Sequence, residues 1–157
     1  MNFLVDNNMP VHELFVKRER DCHLEATVPF SSGRMCMTVA YKLTEEDGEE
    51  KVRVIVKGAP EVVVKMCSRA KNMDNEDFNF ADEHDHADYL ENVVSRGIAK
   101  EGLKPLTIAY KNIDKEEWKN LKEKYFNFES DEARADLECN LTLAASFGFH
   151  DEIRPNI

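Results

Sequence analysis

A lysine and a glycine stand at the predicted junction between a strand and a helix. The run Val54-Ile55-Val56 is apolar and β-branched, as in a buried strand. Pro60 suits the first turn of a helix, because backbone N–H groups there have no partner within the helix. Gly58 would let a flat ring approach the backbone closely, and Lys57 offers a cation to phosphates or ring nitrogens. The junction therefore suits a bound nucleotide.

A second candidate segment lies upstream, where an aromatic residue and an arginine flank a predicted turn. Phe30 and Arg34 belong to the run Pro29-Phe30-Ser31-Ser32-Gly33-Arg34-Met35-Cys36-Met37, which opens another strand. A ring for stacking and cations for phosphates are what an adenine nucleotide needs, so the two segments together indicate ATP. Plainer interpretations stay open: Phe30 as a core aromatic, Lys57 as a surface lysine, and Arg34 as the partner of an acidic neighbour.

Composition limits the classes of function that this chain can have. Its 157 residues suit one domain with a real core, and its formal net charge of -10 argues against sequence-independent binding to nucleic acid or to anionic lipid. No run approaches the about 18 apolar residues of a membrane helix, and the N-terminus lacks a signal-peptide pattern. We therefore expect a soluble, cytosolic monomer without direct membrane contact, and its four scattered cysteines predict reduced thiols.

The periodicity of apolar residues predicts an α+β fold, with a mainly antiparallel sheet flanked by helices. The predicted strands are 22–28, 35–43, 52–56, 103–111 and 141–147. The predicted helices are 3–16, broken at Pro10, a short one after Pro60, 85–99 ended by Gly102, and 115–125 capped by Asp114. Residues 69–82 and the acidic stretch after 125 are predicted to be loops.

A rival site lies in the run Asp82-Glu83-His84-Asp85-His86-Ala87-Asp88. Two histidines and several carboxylates could bind a divalent metal, which would predict a melting temperature that depends on zinc or calcium. However, His84 and His86 are two residues apart and would not share a helix face, and acidic residues also suit a helix N-terminus. The capping interpretation is favoured, and we predict no metal site.

Four segments, in order, resemble the nucleotide-binding domain of P-type cation-transporting ATPases. They are Phe30-Ser31-Ser32-x-Arg34-x-x-Met37, Lys57-Gly58-Ala59-Pro60-Glu61, Gly102-Leu103-x-x-Leu106-x-Ile108-Ala109-Tyr110-Lys111 and Gly148-x-x-Asp151-x-x-Arg154-Pro155. Together they span most of the chain, and the likeness is greatest to the calcium-pump branch of the plasma-membrane type. The resemblance implies the fold of that domain over residues 1–148, with its N-terminal part missing, and the start of a return hinge to the phosphorylation domain at 149–157.

The resemblance also implies an ATP pocket. In it Phe30 stacks on the adenine, an interaction of about 1 to 3 kcal/mol for a base on an aromatic ring. Lys57 and Gly58 form the floor of the pocket, and Leu106 lines its apolar wall. Arg34 is a partner of the phosphates or of the ring.

Departures from the family pattern concern the cations around this pocket. Lys104 stands where the family usually has an arginine that reaches the phosphates, so the charge is kept but the bidentate fork is lost. Met35 stands where a lysine is common, and Glu152 replaces a usual proline in the closing segment. The resemblance therefore predicts a site with fewer cations and weaker affinity than the family pattern gives.

For the parent pump, the resemblance implies ATP-driven ion translocation at the cytosolic face of a membrane, with calcium as the cation and Mg²⁺ accompanying ATP. The chain lacks the D-K-T-G-T, T-G-D and G-D-G-x-N-D segments, so it carries no catalytic residues and would position ATP for an aspartate in a separate domain. Its partners would be the phosphorylation and actuator domains. The alternative function is an acidic protein-interaction module that keeps the fold without binding nucleotide, which Met35 and Lys104 motivate.

Overall fold

A seven-stranded sheet dominates the computed structural model, which describes residues 10–44, 48–72 and 76–150. The strands are β1 (Cys22–Ser31), β2 (Cys36–Thr44), β3 (Glu50–Gly58), β4 (Cys67–Lys71), β5 (Asp77–Asn79), β6 (Lys104–Asp114) and β7 (Leu141–Phe149). Their order across the sheet is β1-β2-β3-β6-β7-β4-β5, and neighbours are antiparallel except for the parallel pair β4 and β7. The predicted α+β class with a mainly antiparallel sheet is confirmed.

Five α-helical segments accompany these strands over the described residues, the first of them before β1. They are α1 (Val11–Asp21), α2 (Pro60–Val63), α3 (Glu83–Tyr89), α4 (Lys115–Lys124) and α5 (Asp131–Leu137). Helix α2 continues in a 3₁₀ turn to Met66, and α3 widens into a π-helix over Leu90–Ile98 before a last 3₁₀ turn. Gly102 then ends this helix in the left-handed conformation, at φ 74°, as predicted.

The core lies on one face of the sheet. Side chains alternate along a strand, so Val52, Val54 and Val56 of β3 point to one face and are buried, while Lys57 points to the other and is exposed. The buried face, here the core face, forms one apolar cluster with Trp118 of α4 and with Ala133 and Leu137 of α5. The opposite face, here the second face, carries half-buried side chains such as those of Val39, Ile55 and Ile108.

Two segments predicted as loops contain regular structure. Residues 69–82 include the end of β4 and all of β5, which a sequence pattern misses because these short strands are held by backbone pairing, Ala70 opposite Phe78. The acidic stretch after 125 contains α5, in which Ser130 caps the helix by accepting the Ala133 N–H at 3.1 Å. Only Ala133 and Leu137 of α5 are buried, too few apolar positions for a strong helical period.

Several predicted boundaries need adjustment. Helix α1 follows Pro10 and runs to Asp21, beyond the predicted end at Val16, and the predicted segment before Pro10, residues 3–9, lies outside the described residues. Asp114 occupies the N-cap position of α4 as predicted, but its side chain makes no capping hydrogen bond. The remaining predicted helices and strands are present within a few residues of their expected bounds.

Acid sensitivity is expected from Glu50, which begins β3. Its carboxylate pairs with Lys42 and accepts a hydrogen bond from Lys115 Nζ at 2.6 Å; these lysines, Lys115 first, lower the pKa of Glu50 from 4.5 to about 2. A lowered folded-state pKa contributes stability above the unfolded value, and that contribution is lost as pH falls from about 4.5 towards 2. In urea unfolding, Glu50→Gln should therefore destabilise the chain at neutral pH and do so less near pH 3.

The matched control for this titration is Glu123→Gln on α4. Glu123 is exposed and pairs only loosely with Lys119, at 3.8 Å. The Glu123 variant should unfold like the wild type at both pH values. An equal effect of Glu50→Gln at both pH values would show that its carboxylate stabilises the fold independently of charge.

Candidate functional site

The strand register brings the predicted binding segments to one end of the sheet. A single row of paired residues crosses five strands, and it consists of Ser31, Cys36, Gly58, Thr107 and Ser146. Phe30, Lys57 and Leu106 are each one residue from this row in their own strands. Segments up to 115 residues apart in sequence therefore share one region of the fold.

Three of the predicted side chains share the second face at this end. Gly58 and Thr107 belong to the core face and are buried, so the alternating residues Lys57 and Leu106 point the other way. Lys57 is exposed and lies opposite Ile108 in the strand pairing of β3 with β6. Leu106, two residues before Ile108 on the same face, is half-buried. Lys104 alternates onto the same face, is exposed, and pairs with Phe149 of β7. Two cations therefore flank an apolar strip.

Phe30 lies at the end of β1 with 61% of its surface exposed. The register between β1 and β2 shifts between Val28 and Ser31, so Phe30 sits in an irregular stretch of the strand. It is not a core aromatic, and its ring is accessible for stacking. Phe30, Lys57, Lys104 and Leu106 are here called the row-end surface.

Gly58 permits a close approach within the chain itself, between the end of β3 and the residues before β2. A Cβ atom there would lie 2.6 Å from Cβ of Cys36, and closer still to the carbonyl oxygen of Met35. That same oxygen accepts a hydrogen bond from the Ala59 N–H at 2.9 Å. The space beside Gly58 is therefore filled by the chain's own turn between β1 and β2, residues 32–35, in which Met35 adopts a left-handed φ of 53°.

Arg34 extends away from the row-end surface. Its side chain is 19% exposed and forms an ion pair with Glu138, the residue that follows α5. The same Glu138 oxygen accepts a hydrogen bond from Thr38 Oγ1 at 2.6 Å, and Thr38 belongs to the core face. The structure thus does not bring the guanidinium together with Lys57 and Leu106, and the open alternative, an acidic partner for Arg34, is what it shows.

Sequence reasoning missed Glu138. It lies 104 residues from Arg34, in a stretch predicted to be loop, and no local pattern distinguishes it from the other 30 acidic residues. Its 6% exposure makes it the buried acidic side chain among the described residues. A buried charge requires a partner, so only the fold reveals that these two residues belong together.

Hydrogen bonds link three hydroxyl groups on the core side of the row. The Tyr89 hydroxyl donates to Ser146 Oγ at 2.9 Å, and Ser146 Oγ lies 2.7 Å from Thr107 Oγ1. Burial raises the pKa of Tyr89 and that of the Cys36 thiol in β2, so both stay protonated at neutral pH. This side of the row is packed, so a ligand would have to bind on the second face.

The acidic run at the start of α3 is a helix cap. Asp82 Oδ1 accepts the His84 N–H at 2.8 Å, and Asp85 Oδ2 accepts the Ala81 N–H at 2.6 Å. His86 Nε2 lies 2.8 Å from the Cys67 carbonyl oxygen, so His86 does not join His84. Asp82 therefore caps this helix, as the favoured interpretation expects. Single ligand atoms of Asp82, His84 and Asp85 lie within 4.8 Å of one another, and the absence of a metal site stays a prediction.

Comparisons with known proteins agree on one family. The chain matches, over residues 5–156, the family model described as "P-type ATPase, cytoplasmic domain N". It is 30% identical over 130 residues to the putative calcium-transporting ATPase 11, plasma membrane-type, of Arabidopsis thaliana, a match that covers 82% of this chain and 10% of the relative. The plasma membrane calcium-transporting ATPase mca-1 of Caenorhabditis elegans is 25% identical over 136 residues, with the same two coverages.

These matches also set the scale of the chain. It spans about a tenth of the length of the curated relatives it matches. Within residues 10–44, 48–72 and 76–150, no helix is long and apolar enough to cross a membrane.

Proposed function

Because the chain belongs to the family of cytoplasmic N domains of P-type ATPases, we propose that it binds ATP at the row-end surface. The observation that supports this most is the strand register, which puts Lys57, Lys104 and Leu106 on one face at the end of the sheet where Phe30 is exposed on β1. A stacking ring, an apolar strip and two cations are the groups that an adenine base and a polyphosphate require.

Each side chain then has a distinct part in binding. Phe30 stacks on the adenine, Leu106 provides the apolar wall, and Lys57 and Lys104 pair with phosphates or ring nitrogens. Gly58 acts through its backbone, since the turn packed on it sets the shape of the floor. A direct contact from Arg34 would require its guanidinium to leave Glu138, so we assign Arg34 a supporting place beneath the site.

The chemistry of the whole pump would lie mostly outside this chain. Bound ATP would supply the γ-phosphoryl group to an aspartate of a separate phosphorylation domain, and this chain would contribute positioning. Mg²⁺ would accompany the nucleotide. The clustered ligand atoms of Asp82, His84 and Asp85 lie at the cap of α3 and not at the row-end surface. From the names of its relatives, we infer that the parent transports calcium across a membrane.

Lys57→Gln tests the proposed site by removing one cation from an exposed position. The substitution should weaken ATP binding by about three- to tenfold, the loss of one charge-assisted hydrogen bond at a partly solvated site. Isothermal titration calorimetry with ATP measures this directly. The fold should be unaffected, because the Lys57 side chain is exposed.

Lys51→Gln is the matched control for Lys57→Gln. Lys51 lies on the same strand and the same face, six residues away at the other end of β3, and pairs with Glu49. It should leave ATP affinity unchanged. Equal affinities of the Lys57 variant and the wild type would contradict the assigned surface.

The second candidate function is an acidic interaction module without nucleotide binding. It is favoured by the small number of cations near the row-end surface. Met35 presents an exposed thioether there, and Arg34 is paired with Glu138. It would be the better account if ATP at millimolar concentration produced no heat of binding with the wild-type chain.

A further inference from the structure

The largely buried ion pair of Glu138 with Arg34 joins two parts of the fold that are 104 residues apart in sequence. Glu138 lies at the α5–β7 junction, whereas Arg34 lies in the turn between β1 and β2. One carboxylate oxygen of Glu138 accepts from both Arg34 and Thr38 Oγ1, the latter at 2.6 Å. The carboxylate of Glu138 thereby links the side chain of this turn to the core, in addition to the turn's backbone hydrogen bonds.

The turn that Arg34 anchors is also the structure that borders the proposed ATP site. It begins directly after Phe30 and Ser31, and its Met35 carbonyl oxygen accepts the Ala59 N–H at 2.9 Å. It packs so closely on Gly58 that no side chain fits there. A displacement of Arg34 would thus be transmitted to Phe30 on one side and to Gly58 on the other.

The geometry of the pair is better suited to positioning than to stability. Taking two charges out of water removes most of the stabilisation that their attraction gives, so buried ion pairs contribute little to folding while still fixing the groups they join. Nη1 of Arg34 is buried and, among the described residues, has no hydrogen-bond partner. A guanidinium that leaves a buried donor unpaired is not arranged for the greatest stability.

We propose that Glu138 is a positioning residue for the ATP site: by holding Arg34 and Thr38 on the core side of the sheet, it fixes the turn that sets the positions of Phe30 and Gly58. The proposal rests on the proposed function, because it assigns Glu138 a part in that same site. Glu138 does not touch the nucleotide. It acts through the Arg34 side chain and the backbone of residues 32–35.

The test is a double-mutant cycle read by calorimetric titration of ATP. Glu138→Gln and Arg34→Met should each weaken binding by at least about fivefold, and the double variant should be no weaker than the poorer single variant, because both substitutions release the same turn. Glu25→Gln is the matched control. Glu25 is a partly buried carboxylate that binds Trp118 and Lys122 of α4, and its loss should lower the melting temperature without changing ATP affinity.

The outcomes separate this inference from the proposed function. A wild-type chain that does not bind ATP overturns both. Wild-type binding together with unchanged affinity in Glu138→Gln, or with effects that multiply in the double variant, overturns the positioning role alone. If Glu138→Gln does not fold, Thr38→Val takes its place, since it removes the second hydrogen bond to Glu138; a weaker ATP affinity supports the role and an unchanged one overturns it.

Discussion

Gly58→Ala is expected to destabilise the chain by about 1 to 3 kcal/mol and to weaken ATP binding severely. The added methyl group would meet the backbone of Met35 and Cys36, atoms of the turn and of β2 that cannot rotate away as a flexible side chain could. Relief requires the turn to move outward, which shifts Phe30 as well. Urea unfolding measures the first effect, and titration of ATP into the folded variant measures the second.

Gly33→Ala is the control for this substitution, because it adds the same methyl group within the same turn. A Cβ at Gly33 has no atom within 4 Å, and its φ is not in the left-handed region. Stability and ATP affinity should therefore stay close to those of the wild type. Similar behaviour of the two alanine variants would show that the close packing at Gly58 has no bearing on the fold or on the site.

Phe30→Ala is expected to weaken ATP binding by about 5- to 150-fold, the equivalent of the 1 to 3 kcal/mol of one stacked base. Its effect on folding should be small, because 61% of the surface of Phe30 is already exposed and little apolar burial is lost. Calorimetric titration and urea unfolding of the same preparation separate the two effects. A large loss of stability would mean that the ring supports the end of β1 and not a ligand.

Phe126→Ala provides the matched control for Phe30→Ala. Phe126 is a fully exposed phenylalanine between α4 and α5. Its loss should change neither stability nor affinity. Unchanged ATP affinity in both variants would show that Phe30 does not contact the adenine.

Much of the fold follows from short-range patterns in the sequence. The apolar run Val54-Ile55-Val56 followed by Lys57, Gly58 and Pro60 identified the end of β3 and the start of α2 because strand alternation and proline position are local properties. The family resemblance, which depends on such segments and their order, is confirmed by the match over residues 5–156. Residues of the predicted return hinge from 151 onward lie outside the described residues, so that boundary stays a prediction.

The features that were missed depend on pairings between distant residues. Strand β5 has three residues and exists through its ladder with β4, and no alternation over so short a run could reveal it. The ion pair of Arg34 with Glu138 spans 104 positions, and the occupant of the space beside Gly58 is a turn more than 20 residues upstream. Residue types indicated that a glycine and an arginine were needed here, but only the register shows what each one contacts.

The most direct test of ATP binding at the row-end surface is a titration of ATP into the isotope-labelled chain, followed through backbone amide shifts. Binding at this surface should produce saturable shifts centred on Phe30, Gly58 and Leu106, with little change at the far end of β3 near Lys51. Silence at those three amides at millimolar ATP, in a chain whose spectrum shows it to be folded, would contradict the assigned site and favour the interaction module.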